Sequence, residues 1–173
     1  IRPTLLVEAT AYEPNPAPGV TVAALVGTWW PGDEIREHKT LSYAGHRLAQ
    51  RRAAALGADH ALLLDDAGRL GEADAANVFV VMNGTLLTPP IQGILGGVTR
   101  DVLLEAAGAE GIPVDVRHLA EAEWRSADEM FLSNGLAGLT PVLSIDGVPV
   151  RGGAPGPMSE RLREAFARKG GWA

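Results

Sequence analysis

The sequence predicts an α+β fold in which a mainly antiparallel sheet carries flanking helices. Strand-like and helix-like segments follow one another irregularly, without the strict strand–helix–strand period of a parallel α/β sheet. The dipeptides Asn83-Gly84 and Asp146-Gly147 adjoin short apolar runs, a pattern typical of hairpins between antiparallel strands. With 173 residues, of which 46% are hydrophobic, the chain is long enough to bury one core without cross-links. We therefore expect one domain over residues 1–173.

The first half of the chain predicts five strands and one long helix. Residues 13–19 contain three prolines and a glycine and predict a loop, and residues 29–33 and 65–68 predict turns. Apolar residues at helical spacing predict a helix over residues 40–56, which Gly57 ends. Short apolar runs predict the strands, over residues 4–11, 20–28, 60–64, 77–82 and 85–87.

The second half of the chain predicts three helices and three short strands. Gly96-Gly97 precede the first of these helices. The same periodicity rules predict helices over residues 98–109, 120–126 and 159–168, and strands over residues 113–116, 129–132 and 142–145.

Composition excludes several classes of function. The chain has no cysteine, which excludes disulfides, cysteine nucleophiles and thiolate metal sites. The net charge of −6 argues against a nucleic-acid partner, because phosphate binding requires a basic face. No apolar run reaches 18 residues, so we expect no membrane span. The lack of cysteine fits a cytoplasmic protein. The histidines lack metal-ligand spacing, so we expect no metal site, with His46 on a helix surface and His60 on a strand.

Lys39 is the first candidate for chemistry. The chain has only two lysines against thirteen arginines, and Lys39 stands where a charged loop meets an apolar helix. A lysine that points into a cavity at such a junction loses its charge readily, and a neutral amine is the nucleophile that carbonyl cofactors require. A solvated surface lysine is the alternative interpretation.

Three further segments could form an anion or cofactor site. Gly96-Gly97 followed by Val98 and Thr99 at a helix start predicts free backbone N–H groups for a phosphate, or else an ordinary glycine loop. Glu72, among small residues, could hold a proton on a ring nitrogen or be a solvated turn carboxylate. The turn 133–136 could donate more N–H groups to an anion or simply end a strand.

The order of these motifs resembles a known family. The segments HKTLSY (38–43), GEADAANVF (71–79), GGVTR (96–100) and ADEMFLSNGLAGLTPV (127–142) follow one another as in class IV aminotransferases, the fold-type IV enzymes of pyridoxal 5'-phosphate (PLP). The family includes branched-chain and D-amino-acid transaminases and 4-amino-4-deoxychorismate lyases. The resemblance extends over residues 35–166.

The resemblance implies the large C-terminal domain of such an enzyme, with a pseudo-barrel sheet, and a PLP cofactor. It implies that Lys39 forms the Schiff base with PLP and acts as the catalytic base, and that Glu72 pairs with the pyridine nitrogen. It also implies cofactor contacts for Tyr43 near the phenol oxygen, for Val98 and Thr99 at the phosphate, and for Asn77, Asn134 and Gly135.

The same resemblance implies an activity on a small amino substrate. SNGLAGLTPV (133–142) is similar to the lyase branch, whereas transaminases usually carry threonine where this chain has Gly135. It favours 4-amino-4-deoxychorismate lyase, an enzyme of folate biosynthesis that forms 4-aminobenzoate and pyruvate, over a branched-chain or D-amino-acid transaminase. Family members are usually homodimers.

A third interpretation stays open. We expect the smaller N-terminal domain of the family to be absent from these 173 residues, which leaves open that the chain is a non-catalytic domain. Trp29-Trp30 would suit a surface on which a partner docks, and would equally suit an ordinary contact between domains.

Overall fold

The computed structural model describes residues 5–11 and 19–169, and this part of the chain forms a nine-stranded sheet with four α-helices. The strands are β1 (Val20–Leu25), β2 (His60–Leu64), β3 (Leu70–Ala73), β4 (Asn77–Met82), β5 (Thr85–Thr88), β6 (Val114–Val116), β7 (Glu129–Asn134), β8 (Gly138–Ile145) and β9 (Val148–Pro149). The helices are α1 (Ala44–Ala55), α2 (Val98–Ala109), α3 (Glu121–Arg125) and α4 (Pro157–Arg168), with short 3-10 turns at Glu34–Glu37 and Arg151–Gly153.

The predicted α+β class with a mainly antiparallel sheet is confirmed. The strand order is β3-β2-β1-β8-β7-β4-β5-β6, and β9 pairs with β8. Five of the eight pairings are antiparallel, whereas β1 runs parallel to both β2 and β8, and β5 runs parallel to β6.

The sheet curls into a half-barrel, and the curl creates the site. Strand β8 pairs with β7 through its first half and with β1 through its second half. Strands β3 and β4 stand far apart in the strand order, yet only Asp74, Ala75 and Ala76 connect them. The sheet must bend for so short a connection to join them. The bend brings the β3–β4 turn beside the end of β7, where Asn134 Nδ2 donates to Ala75 O at 3.3 Å.

Alternating strand residues fill both faces of the curled sheet. The inner face of the half-barrel holds one apolar cluster, and the indole of Trp124 from α3 enters it and donates to Gly68 O at 3.0 Å. On the outer face, helices α2 and α4 pack against strand side chains such as Phe79 of β4 and Phe131 of β7. Helix α1 covers β1 and β2 through Ala49 and Ala53. This packing holds α1 and α2, the two helices whose first turns reach the site, against the sheet.

The strand predicted over residues 4–11 is wrong for residues 5–11, and Thr4 lies outside the described residues. Residues 5–11 have no regular structure, and Leu5 and Leu6 are exposed. A strand is stable only with a hydrogen-bonded neighbour, and no other described segment pairs with this one. An apolar run alone is therefore not sufficient to predict a strand. The predicted loop at residues 13–19 falls outside the described residues except for Gly19.

Other differences concern boundaries. Helix α1 begins at Ala44 rather than at residue 40, because Thr40 Oγ1 accepts the Ser42 N–H at 3.2 Å and holds a turn. Strand β1 ends at Leu25, β8 begins earlier than predicted at Gly138, and the short strands β3 and β9 were not predicted. None of the described helices combines the length and apolarity that crossing a membrane requires.

Candidate active site

A cavity of about 390 Å³ lies where the segment before α1, the β3–β4 turn, the end of β7 and the start of α2 meet. Ligand cavities commonly measure about 300–1,000 Å³. All the site residues that the sequence suggested line this one cavity: Lys39, Tyr43, Glu72, Asn77, Val98, Thr99, Asn134 and Gly135. Residues from distant parts of the chain are thus gathered around one space.

Lys39 and Tyr43 enter the cavity from the extended segment that precedes α1. The Lys39 ammonium lies 5.9 Å from the centre of the Tyr43 ring. Among the described residues, Lys39 is exposed at the edge of the cavity and its Nζ makes no hydrogen bond or ion pair, so the amine is open both to solvent and to a ligand. The Tyr43 hydroxyl donates to Asp74 O at 2.9 Å, and burial, followed by the charges of Asp74 and Glu72, raises the pKa of the Tyr43 phenol. Tyr43 therefore stays protonated at neutral pH.

Glu72 is a buried carboxylate on β3 that is held through both oxygens. The backbone N–H of Leu95 donates to Oε2 at 3.3 Å, and His46 Nε2 lies 3.1 Å from Oε1. The Arg36 guanidinium adds a positive charge, with its Nη1 at 3.9 Å from Oε1. Each carboxylate oxygen has two lone pairs, so Glu72 can still accept a hydrogen bond from a ligand.

Helix α2 begins at the cavity with an open N-terminus. Gly97 precedes the helix in an extended conformation, and no side chain caps the first turn. The first N–H groups of an α-helix have no partner within the helix, so those of Val98 and Thr99 are available to an anion. The Thr99 side chain is buried beside them. The Arg100 side chain is directed elsewhere, because its Nη2 donates to Pro89 O at 3.0 Å.

Asn77 supports the loop that leads into α2. Its Nδ2 donates to Leu95 O at 2.7 Å, while Glu72 binds the N–H of the same residue. Asn77 Oδ1 lies against Gly97 so closely that a Cβ at Gly97 would collide with it. Asn77 therefore positions the start of α2, and its contact with a cofactor stays a prediction.

We expect Gly97→Ala to lower the free energy of unfolding by about 1–3 kcal/mol and to weaken anion binding at α2. The added methyl group would displace the Asn77 amide and break its hydrogen bond to Leu95. Urea denaturation measures the first effect. Gly96→Ala is the matched control, because its Cβ would meet only the Ile91 side chain at 3.9 Å. Equal stability of the two variants would contradict the steric argument.

The turn after β7 offers fewer donors than the sequence suggested. The Asn134 Oδ1 accepts the N–H groups of Leu136 at 3.0 Å and Ala137 at 2.9 Å, so these amides already have a partner. Of this turn, the Gly135 amide remains for a ligand. Ser133, which the sequence did not single out as a ligand residue, has a buried Oγ without a hydrogen-bond partner in the described part of the chain.

Two expectations about single residues are wrong. His46 is not a helix-surface residue: its side chain is only 15% exposed, lines the cavity and reaches Glu72. Trp29 and Trp30 do not form a paired surface, because Trp29 is buried and donates its indole N–H to Gly93 O at 2.8 Å, whereas Trp30 is exposed. Arg36 also lines the cavity, and no sequence signal marked it.

His60 lies on β2, as the sequence predicted, and forms a pair with Asp74 behind the cavity wall. His60 Nδ1 lies 2.9 Å from Asp74 Oδ1, and Asp74 is buried. The hydrogen bond to Asp74 raises the pKa of the His60 imidazole above its ordinary value, although burial opposes the shift. The pair therefore holds the β3–β4 turn in place, and the Asp74 carbonyl oxygen of this turn accepts the hydrogen bond of the Tyr43 hydroxyl.

The pH dependence of stability should reveal this pair. A histidine whose pKa is raised on folding stabilises the protein fully below its unfolded pKa of about 6.5. That contribution is lost as pH rises through the folded pKa. We therefore expect the stability difference between the wild type and His60→Gln, measured by urea denaturation, to be larger near about pH 6 than near about pH 9. The exposed His118, changed to Gln, is the control. A difference that is independent of pH would contradict the assignment.

Comparisons with known proteins agree on the kind of molecule. The family described as amino-transferase class IV matches residues 2–145. A Methanocaldococcus jannaschii protein described as a "putative branched-chain-amino-acid aminotransferase" is 40% identical over 129 residues, which cover 74% of this chain and 45% of that protein. The chain spans about half the length of the relatives that it matches.

Solved structures give the same result. The branched-chain amino acid aminotransferase of Thermobaculum terrenum, in its PLP-bound form, is 33% identical with a TM-score of 0.79, over 87% of this chain and 50% of that chain. A Legionella pneumophila protein described as a "putative 4-amino-4-deoxychorismate lyase" is 28% identical with a TM-score of 0.86, over 93% of this chain and 59% of that chain. The likeness therefore extends over most of the fold described above.

Proposed function

From the premise that this chain belongs to the class IV aminotransferase family, we propose that it forms the cofactor-holding part of a PLP-dependent enzyme. The observation that carries the proposal is the single cavity into which Lys39, Glu72 and the open start of α2 all project. The substrate is a small molecule with an amino group. The solved relative from Thermobaculum terrenum, which contains PLP, supports the choice of cofactor.

The residues present fit PLP in chemistry. The cavity offers a primary amine for the aldehyde, a buried carboxylate for the ring nitrogen, and helix N–H groups for the phosphate. The buried Ser133 hydroxyl, without a partner in the described part of the chain, adds a donor in the same cavity. The bound cofactor would supply an electron sink, which withdraws the electrons of a bond broken at the amine-bearing carbon.

Each side chain then has one task. The Lys39 amine, once free, removes the proton from the amine-bearing carbon of the substrate. Glu72 keeps a proton on the ring nitrogen, because its negative charge favours the protonated form. The Val98 and Thr99 amides bind the phosphate at the positive end of α2. Tyr43 stands beside Lys39, where its ring limits the orientations of the amine.

Between the activities of the family, we propose the lyase that converts 4-amino-4-deoxychorismate to 4-aminobenzoate and pyruvate. The support is the turn at residues 133–142, where Gly135 replaces the threonine usual in transaminases, and the TM-score of 0.86 to the Legionella protein. A branched-chain transaminase is the second candidate, because the relatives with the higher identities carry that name.

We propose that part of the enzyme lies outside the described residues. The chain spans about half of its relatives' length. We propose that a smaller N-terminal domain, and a second subunit of a homodimer, complete the substrate pocket. The alternative of a non-catalytic domain is favoured only if the chain fails to bind PLP.

Product analysis tests the proposal. The purified protein is incubated with PLP, and the visible absorption spectrum reports whether the cofactor binds. 4-Aminobenzoate formed from 4-amino-4-deoxychorismate without a keto-acid acceptor supports the lyase. Glutamate formed from 2-oxoglutarate and a branched-chain amino acid supports the transaminase instead. The absence of any change in the cofactor spectrum would overturn the cofactor proposal and favour the non-catalytic domain.

A further inference from the structure

His46 lies at the site, although neither the family motifs nor the sequence analysis placed it among the site residues. It is the third residue of α1, and its side chain turns towards the cavity instead of solvent. Its imidazole touches two of the groups expected to contact the cofactor. His46 Nε2 is 3.1 Å from Glu72 Oε1, and its ring stacks on Tyr43 with centres 4.7 Å apart and planes 8° apart.

The direction of the hydrogen bond follows from its partner. A carboxylate oxygen accepts hydrogen bonds, so we assign the tautomer in which His46 Nε2 carries the proton and donates to Glu72 Oε1. The second oxygen of Glu72 accepts the Leu95 N–H. Arg36 Nη1 lies 3.9 Å from Glu72 Oε1, which is too far for a hydrogen bond. Its positive charge attracts the carboxylate but does not fix the orientation of the carboxylate. His46 is therefore the side chain that orients the Glu72 carboxylate.

The stack extends this constraint to Tyr43. The Tyr43 hydroxyl is tied to Asp74 O, and its ring lies parallel to that of His46. An imidazole that is held at its edge by Glu72 and on its face by Tyr43 has little freedom to rotate. The three side chains thus form one set of mutual contacts between the start of α1 and strand β3.

We propose that His46 is a positioning residue that holds Glu72 against the ring nitrogen of PLP and fixes Tyr43 beside it. This inference rests on the proposed PLP function. Its consequence is that loss of the Nε2–H donor reduces the protonation of the ring nitrogen, because a carboxylate free to turn away stabilises the positive charge less well.

Two substitutions separate the donor from the stack. His46→Phe keeps a flat ring for Tyr43 and removes the donor, whereas His46→Gln keeps an N–H donor and removes the ring. His118→Gln, at an exposed histidine outside the cavity, is the matched control. Circular dichroism establishes that each variant is folded.

The first measurement needs no cofactor. In the wild-type protein, nitrogen-15 NMR should show a slowly exchanging Nε2–H of His46, and Glu72→Ala should expose this proton to exchange with water. The same exchange rate in both proteins would overturn the hydrogen bond and the proposal with it. This arm remains decisive even where His46→Phe does not fold.

The second measurement uses PLP labelled with nitrogen-15 in the ring. We expect His46→Phe to shift the ring nitrogen towards its unprotonated resonance and to raise the Kd of PLP about threefold, while His46→Gln and His118→Gln stay close to the wild type. Unchanged protonation and affinity in a folded His46→Phe would overturn the role of His46 alone. If the wild type does not bind PLP, the proposed function fails, and this inference fails with it.

Discussion

Lys39→Ala should abolish turnover, with a decrease in kcat of at least about a thousandfold, because the proposed reaction uses Lys39 both as the attachment point of the cofactor and as the base. Borohydride reduction of the wild-type protein with PLP, followed by peptide mapping, should place the reduced adduct on Lys39. The variant should bind PLP without a covalent bond and give no reduced adduct.

The chain provides its own control for this experiment. Lys169 is the other lysine, and it forms an exposed ion pair with Glu105 at 2.9 Å, outside the cavity. Lys169→Ala should retain the adduct and full turnover. A Lys39→Ala variant that turns over at the wild-type rate, or an adduct mapped to Lys169, would show that the cavity lysine has been assigned wrongly.

Glu72→Gln should separate cofactor binding from chemistry. The amide has the same shape and can still bind the ring nitrogen, so PLP should remain bound, but without a negative charge the nitrogen loses its proton. We expect kcat to fall by about a hundredfold or more, while the Kd of PLP changes by less than about tenfold. Steady-state kinetics and titration of the cofactor absorbance measure the two quantities separately.

The matched control for this variant is Glu105→Gln, which removes a negative charge from the exposed face of α2. It should leave both quantities unchanged. If Glu72→Gln has the kinetics of the wild type, another group protonates the ring. If Glu72→Gln fails to bind PLP, the main role of Glu72 is to hold the loop at Leu95 rather than to keep the ring nitrogen protonated.

The sequence by itself determined several residues that line the cavity and the family to which the chain belongs. The isolated Lys39, the glycines before Val98 and Thr99, and the order of the motifs identified the cavity residues and the family. Local patterns also determined α1, α2 and the hairpin of β4 and β5, because the 3.6-residue period and the Asn-Gly turn act over short distances along the chain.

Only the tertiary structure decided how those residues meet. Glu72 is held by His46, 26 residues away, and by Leu95, 23 residues away, and the curl of the sheet brings all three together. No local period encodes that curl, so His46 could be interpreted only as a surface residue of its helix. The run at residues 5–11 shows the same limit: it has the composition of a strand but does not form one. A strand depends on a hydrogen-bonded neighbour, which a hydrophobic pattern alone does not supply.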